Sequence, residues 1–398
     1  MRRSPYKRSV NGVHSIGLKL TVLCQWAWIR KTYIMLGIGF MVFSYAYVAY
    51  RKIYHPAVNT NNIILVLDLV SLLILSVGNI IGTFTMSTYK QHEDLYIKVI
   101  DYISSKPEAN VKFGIMSYTF WILSNLALVL NAYLFTTYGS FHDYLLYGLR
   151  DVHMCLMTML TLTVAEITHA LKEMFLDIQQ KLSKACDHFL KDYPHKTLFV
   201  LKTLATIQQK EEELTTFSNR LRRIIIDHNT LCQNVDEFNT AVGLSNLIIV
   251  VAVVISIIWP ITIFIQYNLP NLIHKNDGLD ILEISAHILW ILLTITQAIH
   301  ITKTGYKLTK SGRNIAIYCY RILQRIQHTD EAVFVVWHKN MDEIRCLLTL
   351  LAKQADTRCP ILSAYGLFSI NLGILGAMAT NATAFIIIVV QFILNNKH

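Results

Sequence analysis

Charge is what this 398-residue sequence has least of: Asp, Glu, Lys and Arg make up 16% of it, where a soluble globular domain carries about 25%. A chain so sparsely charged, 53% hydrophobic and with a mean hydropathy of +0.40, lacks the means to cover itself with an ordinary water-facing surface. Proline and glycine are few, seven and 16, which excludes fibrous and low-complexity chains. The seven cysteines and 15 histidines form no Cys-x-x-Cys pair and no His-Glu-x-x-His motif, and there is no Gly-rich phosphate loop. Metal, cofactor and nucleotide chemistry therefore have no sequence support, and no Ser, His and acid arrangement suggests catalysis. His228 and Cys232 stand at i and i+4 without further ligands nearby. The net charge of +10 is dispersed between apolar runs instead of forming one patch, which argues against nucleic acid as a partner.

What the sequence does have is runs of about 20 apolar residues, the length that crosses a bilayer as a helix. Seven are read: Tyr33 to Tyr50, Ile63 to Thr88, Gly114 to Thr136, Tyr144 to Ala170, Val242 to Tyr267, Ile281 to Ile301, and Ile361 to Leu394. The fold class expected is all-α, a polytopic membrane protein. Of the 36 Lys and Arg, 31 fall on the side of the N-terminus and five on the other, so the N-terminus is expected in the cytoplasm and the C-terminus outside. That is the inverse of a G-protein-coupled receptor. All seven cysteines lie in spans or on the expected cytoplasmic side, leaving none to clamp an outer loop.

From His195 to Val242 there is neither Pro nor Gly, and the chain reads as a helix running unbroken into the fifth span. The fourth span continues likewise through Leu171, Phe175, Ile178 and Leu182. Beyond the sixth, Phe334, Trp337, Met341, Ile344, Leu348 and Leu351 recur at heptad spacing, either a coiled-coil seam for assembly or one face of a packed helix. Cys359-Pro360 ends that helix. The organisation expected is a cytoplasmic segment 1–32, six spans with helical cytoplasmic extensions over 33–330, an anchor helix 331–359, and a last span with a short outer tail over 360–398.

The last span is rich in small residues, which allow close helix packing. On the competing reading, Gly373, Thr380, Ala384, Ile387 and Gln391 form one stripe, with Ile388 and Phe392 beside its outer end. Four copies meeting there would enclose a pore narrowed by apolar side chains. The ending Ala384-Phe385, five hydrophobic residues, then Gln391-Phe392 resembles the C-terminal signature of insect gustatory receptors, in which Thr-Tyr stands where Ala384-Phe385 stand here. Length, span number, cytoplasmic N-terminus and the Pro break before the last span resemble the same family and the related odorant receptors. The resemblance implies a ligand-gated cation channel, commonly tetrameric, in the plasma membrane, without cofactor or metal and in some cases with a co-receptor. In the sugar-receptor branch a Glu follows Thr-Tyr; here that position is Ile386, which turns the expectation toward bitter or divergent tastants.

The resemblance also implies a pocket in the outer half of the second to sixth spans. Suitable residues there are Asp68, Asn125, Arg150, His153, Trp259, Gln266, Glu283, His287 and Trp290. Glu283, His287, Trp290 and Thr294 share one helical face, which is poorly suited to lipid. Asp68 reads equally as a structural partner of Arg150 or His153. In a different class, a secondary transporter would use Asp68, Arg150 and Glu283 as coupling residues, but the chain shows no inverted repeat.

Overall fold

The computed structural model describes residues 62–88, 122–133, 141–192, 204–274, 281–329 and 338–395, with single helical positions between 35 and 53 and at 99, 119 and 120. Part of the first expected span, and Phe334 and Trp337, lie outside the described residues. The elements in chain order are α1 (Asn62–Thr88), α2 (Ile122–Tyr133), α3 (Phe141–Asp192), α4 (Leu204–His274), α5 (Ile281–Thr329), α6 (His338–Thr357), the strands β1 (Ser363–Ala364) and β2 (Phe368–Ser369), and α7 (Leu372–Asn395).

Three helices are far longer than a bilayer is thick. With 71 residues, α4 extends roughly 100 Å at about 1.5 Å per residue; α3 has 52 and α5 49. The chain divides into two compact units, one of residues 1–167, 241–303 and 363–398, the other of 168–240 and 304–362. The boundaries fall within α3, α4 and α5. The extension of α5 to Thr329 adds a third long helix to the two expected from the sequence.

The first unit sorts its side chains in the sense opposite to a soluble bundle. On α1, Ser71, Ser76 and Asn79 are buried while Val70, Leu73 and Val77 are exposed. On α5, Thr294, Gln297 and His300 are buried while Ile288, Leu292, Ile295 and Ile299 are exposed. Polar residues satisfied inside and apolar ones outside are what a lipid surround selects. By length and composition, Asp151–Asp187 and Glu212–Trp259 suffice to cross a membrane, and Leu69–Gly82, Ile122–Tyr133 and Leu372–Ile388 are shorter apolar stretches.

The second unit follows the water-soluble rule. Leu214, Phe217, Leu221, Ile224 and Phe238 are buried, and Arg220, Arg222, Arg223, Asp236 and Glu237 are exposed. On α6, Met341, Ile344, Leu348 and Leu351 are buried inside this unit, so the heptad face packs within the chain itself. Glu343 ties α6 to α4, accepting from Ser218 Oγ at 2.5 Å and Arg222 Nη2 at 2.8 Å.

The last helix starts at Leu372, not at Ile361 as its hydropathy suggests. Pro360 packs directly over Gly312, where a Cβ would run into the proline Cδ and Cγ. A hairpin follows, pairing Ser363 with Ser369 and Ala364 with Phe368. Its turn places Tyr365 (φ +53°) and Gly366 (φ +73°) in the left-handed region, which stops a helix there. Leu367 N–H donates to Ala364 O at 3.0 Å to close the turn.

Candidate functional site

A cavity of about 20 Å³, lined by α1, α3, α4 and α5, lies in the first unit. Helical spacing explains its composition. Met154, Met157, Thr158 and Thr161 come from one face of α3, Ile249, Ala252, Val253 and Ser256 from one face of α4, and Trp290, Thr294 and Gln297 from one face of α5, with Leu75 of α1 completing the wall. No lining residue carries a charge.

The polar groups of the wall are mostly satisfied locally. Thr158, Thr161 and Thr294 hydroxyls donate to the carbonyls of Met154, Met157 and Trp290 at 2.8–2.9 Å. Gln297 Nε2 donates to Thr158 Oγ1 at 2.6 Å, joining α5 to α3. One group is left over: Trp290 Nε1–H is buried without an acceptor among the described residues. An unmet buried donor of this kind costs about 1–3 kcal/mol.

Beside the cavity, His153 is buried between α3 and α1. Its ring nitrogens lie 3.4 Å from Ser76 Oγ and 3.5 Å from Asn79 Nδ2, and Asn79 Nδ2 donates to the His153 carbonyl at 3.0 Å. One turn from Trp290 and from Ser256, the rings of His287 and Trp259 stack with centroids 6.1 Å apart and planes 19° apart. Asp151, also buried, accepts from Asn131 Nδ2 at 2.8 Å.

Of the residues expected at the site, Trp290 lines the cavity, and His153, Trp259 and His287 lie around it. Asn125 is on the exposed face of α2. The side chains of Asp68, Arg150, Gln266 and Glu283 lie outside the described residues. Gln297 and Thr158 were not anticipated. The stripe Glu283, His287, Trp290, Thr294 reaches Gln297 in one further step of three, so the signal for it was present.

The face of α7 bearing Thr380, Ala384, Ile387, Ile388 and Gln391 is exposed, whereas Met378 and Ala382 are buried. The side chain of Phe392 lies outside the described residues.

The model of a family described as 7tm chemosensory receptor matches residues 18–396. No curated protein matches the chain in sequence. Among solved structures, the chain is similar to the insect olfactory receptor OR5 from Machilis hrabei in complex with eugenol, with a TM-score of 0.64, 11% identity, and coverage of 93% of this chain and 91% of that one. It is likewise similar to OR5 from Machilis hrabei in a second structure, with a TM-score of 0.59, 11% identity, and coverage of 98% and 93%. At such identity the likeness is one of fold.

Proposed function

This chain belongs to the 7tm chemosensory receptor family, and we propose that it is a gustatory-type, ligand-gated, non-selective cation channel whose cavity between α1, α3, α4 and α5 receives a small neutral tastant. It is a transmembrane receptor and not an enzyme. The observation that carries the choice of ligand is the wall itself: apolar side chains alternating with threonine hydroxyls and a glutamine amide already engaged within the bundle, no charge, and one buried indole N–H without an acceptor among the described residues. Such a wall suits a lactone, phenol or ester offering one acceptor oxygen. A sugar, with a hydroxyl on nearly every carbon, would leave most of them unpaired there. Ile386, standing where the sugar-receptor branch has Glu, favours the same choice, and Gln391-Phe392 favours taste over smell.

At about 20 Å³ the cavity has room for roughly one water, so a tastant enters by parting the helices. Binding then stabilises the parted arrangement over the closed one, the condition for any ligand to shift an equilibrium. The channel is a homotetramer in the plasma membrane, N-terminus in the cytoplasm, with the exposed face of α7 turned to a central pore. A ring of identical subunits is the symmetry such a pore requires.

The test is whole-cell current from cells expressing this chain alone, challenged with coumarin, thymol, ethyl benzoate and sucrose. A cation current evoked by the first three and not by sucrose is expected. Protein at the surface that stays silent to all three both alone and with a second receptor, or that answers sucrose equally, overturns the reading. Current only with a second receptor present replaces the homotetramer by a heteromer.

A further inference from the structure

Asn246 of α4 is fully buried, and its Nδ2 donates to the carbonyl oxygen of Ser363 at 3.0 Å. Its Oδ1 has no partner among the described residues. Packing alone does not call for an amide at this place: an apolar side chain of the same branched shape, such as Leu, would carry no unpaired Oδ1 and would give up only the bond to Ser363 O. One turn earlier, Gly243 lets the hairpin lie directly on α4, since a Cβ there would stand 3.0 Å from Tyr365 N and 3.1 Å from its Cα. Two successive turns of α4 thus hold the hairpin by backbone contact and by a hydrogen bond.

The hairpin is in turn fastened to α7. Asn371 donates through Nδ2 to Ser369 Oγ at 2.7 Å and accepts at Oδ1 from Gly373 N–H at 2.8 Å, capping the first turn of the helix. In the other direction along α4, Ile249, Val253 and Ser256 continue the Asn246 stripe and form part of the cavity wall. One helical face therefore carries both the wall and the clamp.

We propose that Asn246 is a positioning residue that couples the cavity to α7: displacement of the α4 wall moves the hairpin, and the hairpin moves the start of the pore helix. This rests on the cavity being the tastant site. In Asn246→Leu, surface expression and protection of the purified protein against thermal unfolding by coumarin, thymol or ethyl benzoate should persist. The maximal evoked current should fall about fivefold or more, the lower end of an ordinary coupling energy. Wild-type current in Asn246→Leu overturns the clamp.

A second variant decides the matter if Asn246→Leu does not reach the surface. A Cβ at Gly243 would lie 4.0 Å from Tyr365 Cβ, inside the roughly 3.5–4.5 Å window of a disulfide. Gly243→Cys with Tyr365→Cys should gate as well oxidised as reduced, because the two segments move together; comparing the two states of one protein leaves out whatever the added Cβ at 243 shifts. Loss of evoked current on oxidation, restored by dithiothreitol and absent in either single variant, overturns the proposal. A wild-type channel indifferent to all three compounds is a failure of the cavity reading, and is distinguished by that silence.

Discussion

At the scale of single residues, Trp290 and His228 make separable predictions. Trp290→Phe keeps an aromatic ring against the cavity and deletes only the N–H. One net hydrogen bond is worth about 0.5–1.5 kcal/mol, so the half-maximal concentration of coumarin should rise about two- to twelvefold. For p-cymene, which has no acceptor, it should not change; dose–response curves for the two compounds check this, and an equal shift for both would make Trp290 a packing residue. His228 lies in the second unit, buried, edge-on to Phe175 at 5.7 Å and 3.8 Å from Cys232 Sγ. Burial pushes its imidazole down from 6.5 to about 4. The folded unit holds the ring neutral while the unfolded chain takes up a proton near pH 6.5, so its contribution to stability is full above that pH and is lost as the pH falls toward 4. The melting temperature of the purified protein should therefore drop between about pH 7 and pH 5, and His228→Gln should flatten that slope. A slope as steep in the variant would assign the acid sensitivity elsewhere.

Among the elements, α6 and the hairpin show where hydropathy informs and where it does not. Ile344 is fully buried within the chain, so Ile344→Ala should destabilise each protomer by about 2–5 kcal/mol, read as a lower melting temperature. Leu350, on the same helix but 51% exposed, should tolerate Asp without that loss; the reverse pattern would place the packed face of α6 on the other side. The spacing of apolar residues made the long α3 and α4 legible, and the second span differs from α1 by one residue at its start. For α5 the signal was there too: Ile301, Leu308, Ile315 and Ile322 repeat every seven residues and all are buried. The stretch from Ile361 to Asn371 was not legible, because its hydropathy is that of a membrane helix while its path is set by backbone geometry. The positive φ at Tyr365 and Gly366, the Pro360 contact with Gly312 and the cap at Asn371 are facts of φ angles and partners distant in sequence. Site residues divide the same way: Trp290 follows from periodicity, while its juxtaposition with Thr158 and Ser256 depends on how α3, α4 and α5 pack.

For the whole molecule, the decisive feature is that two helices of the first unit, α1 and α5, bury polar groups and expose apolar ones, whereas most of the described residues of α7 are exposed. Along α7, Ile387 is 51% and Ile388 61% exposed, and Thr380, Ala384 and Gln391 are exposed as well. Lipid alone would satisfy the isoleucines, but it leaves the amide of Gln391 in an unfavourable place. A water-filled axis shared by four copies would satisfy the amide, with isoleucines forming an apolar constriction that closes by dewetting. The two surrounds differ in what mutation does. If Gln391 and Phe392 face a pore, Gln391→Ala and Phe392→Ala should alter single-channel conductance or raise basal leak while the oligomer, followed by size-exclusion chromatography, remains intact. If that face meets lipid, the same substitutions should leave ion flow untouched and change at most the stability of the helix. Unchanged conductance and leak in both variants would therefore move the pore away from α7. A changed conductance with an intact oligomer would fix the outer end of α7 as the narrow part of the path, at the far end of the helix from the hairpin that Asn246 holds.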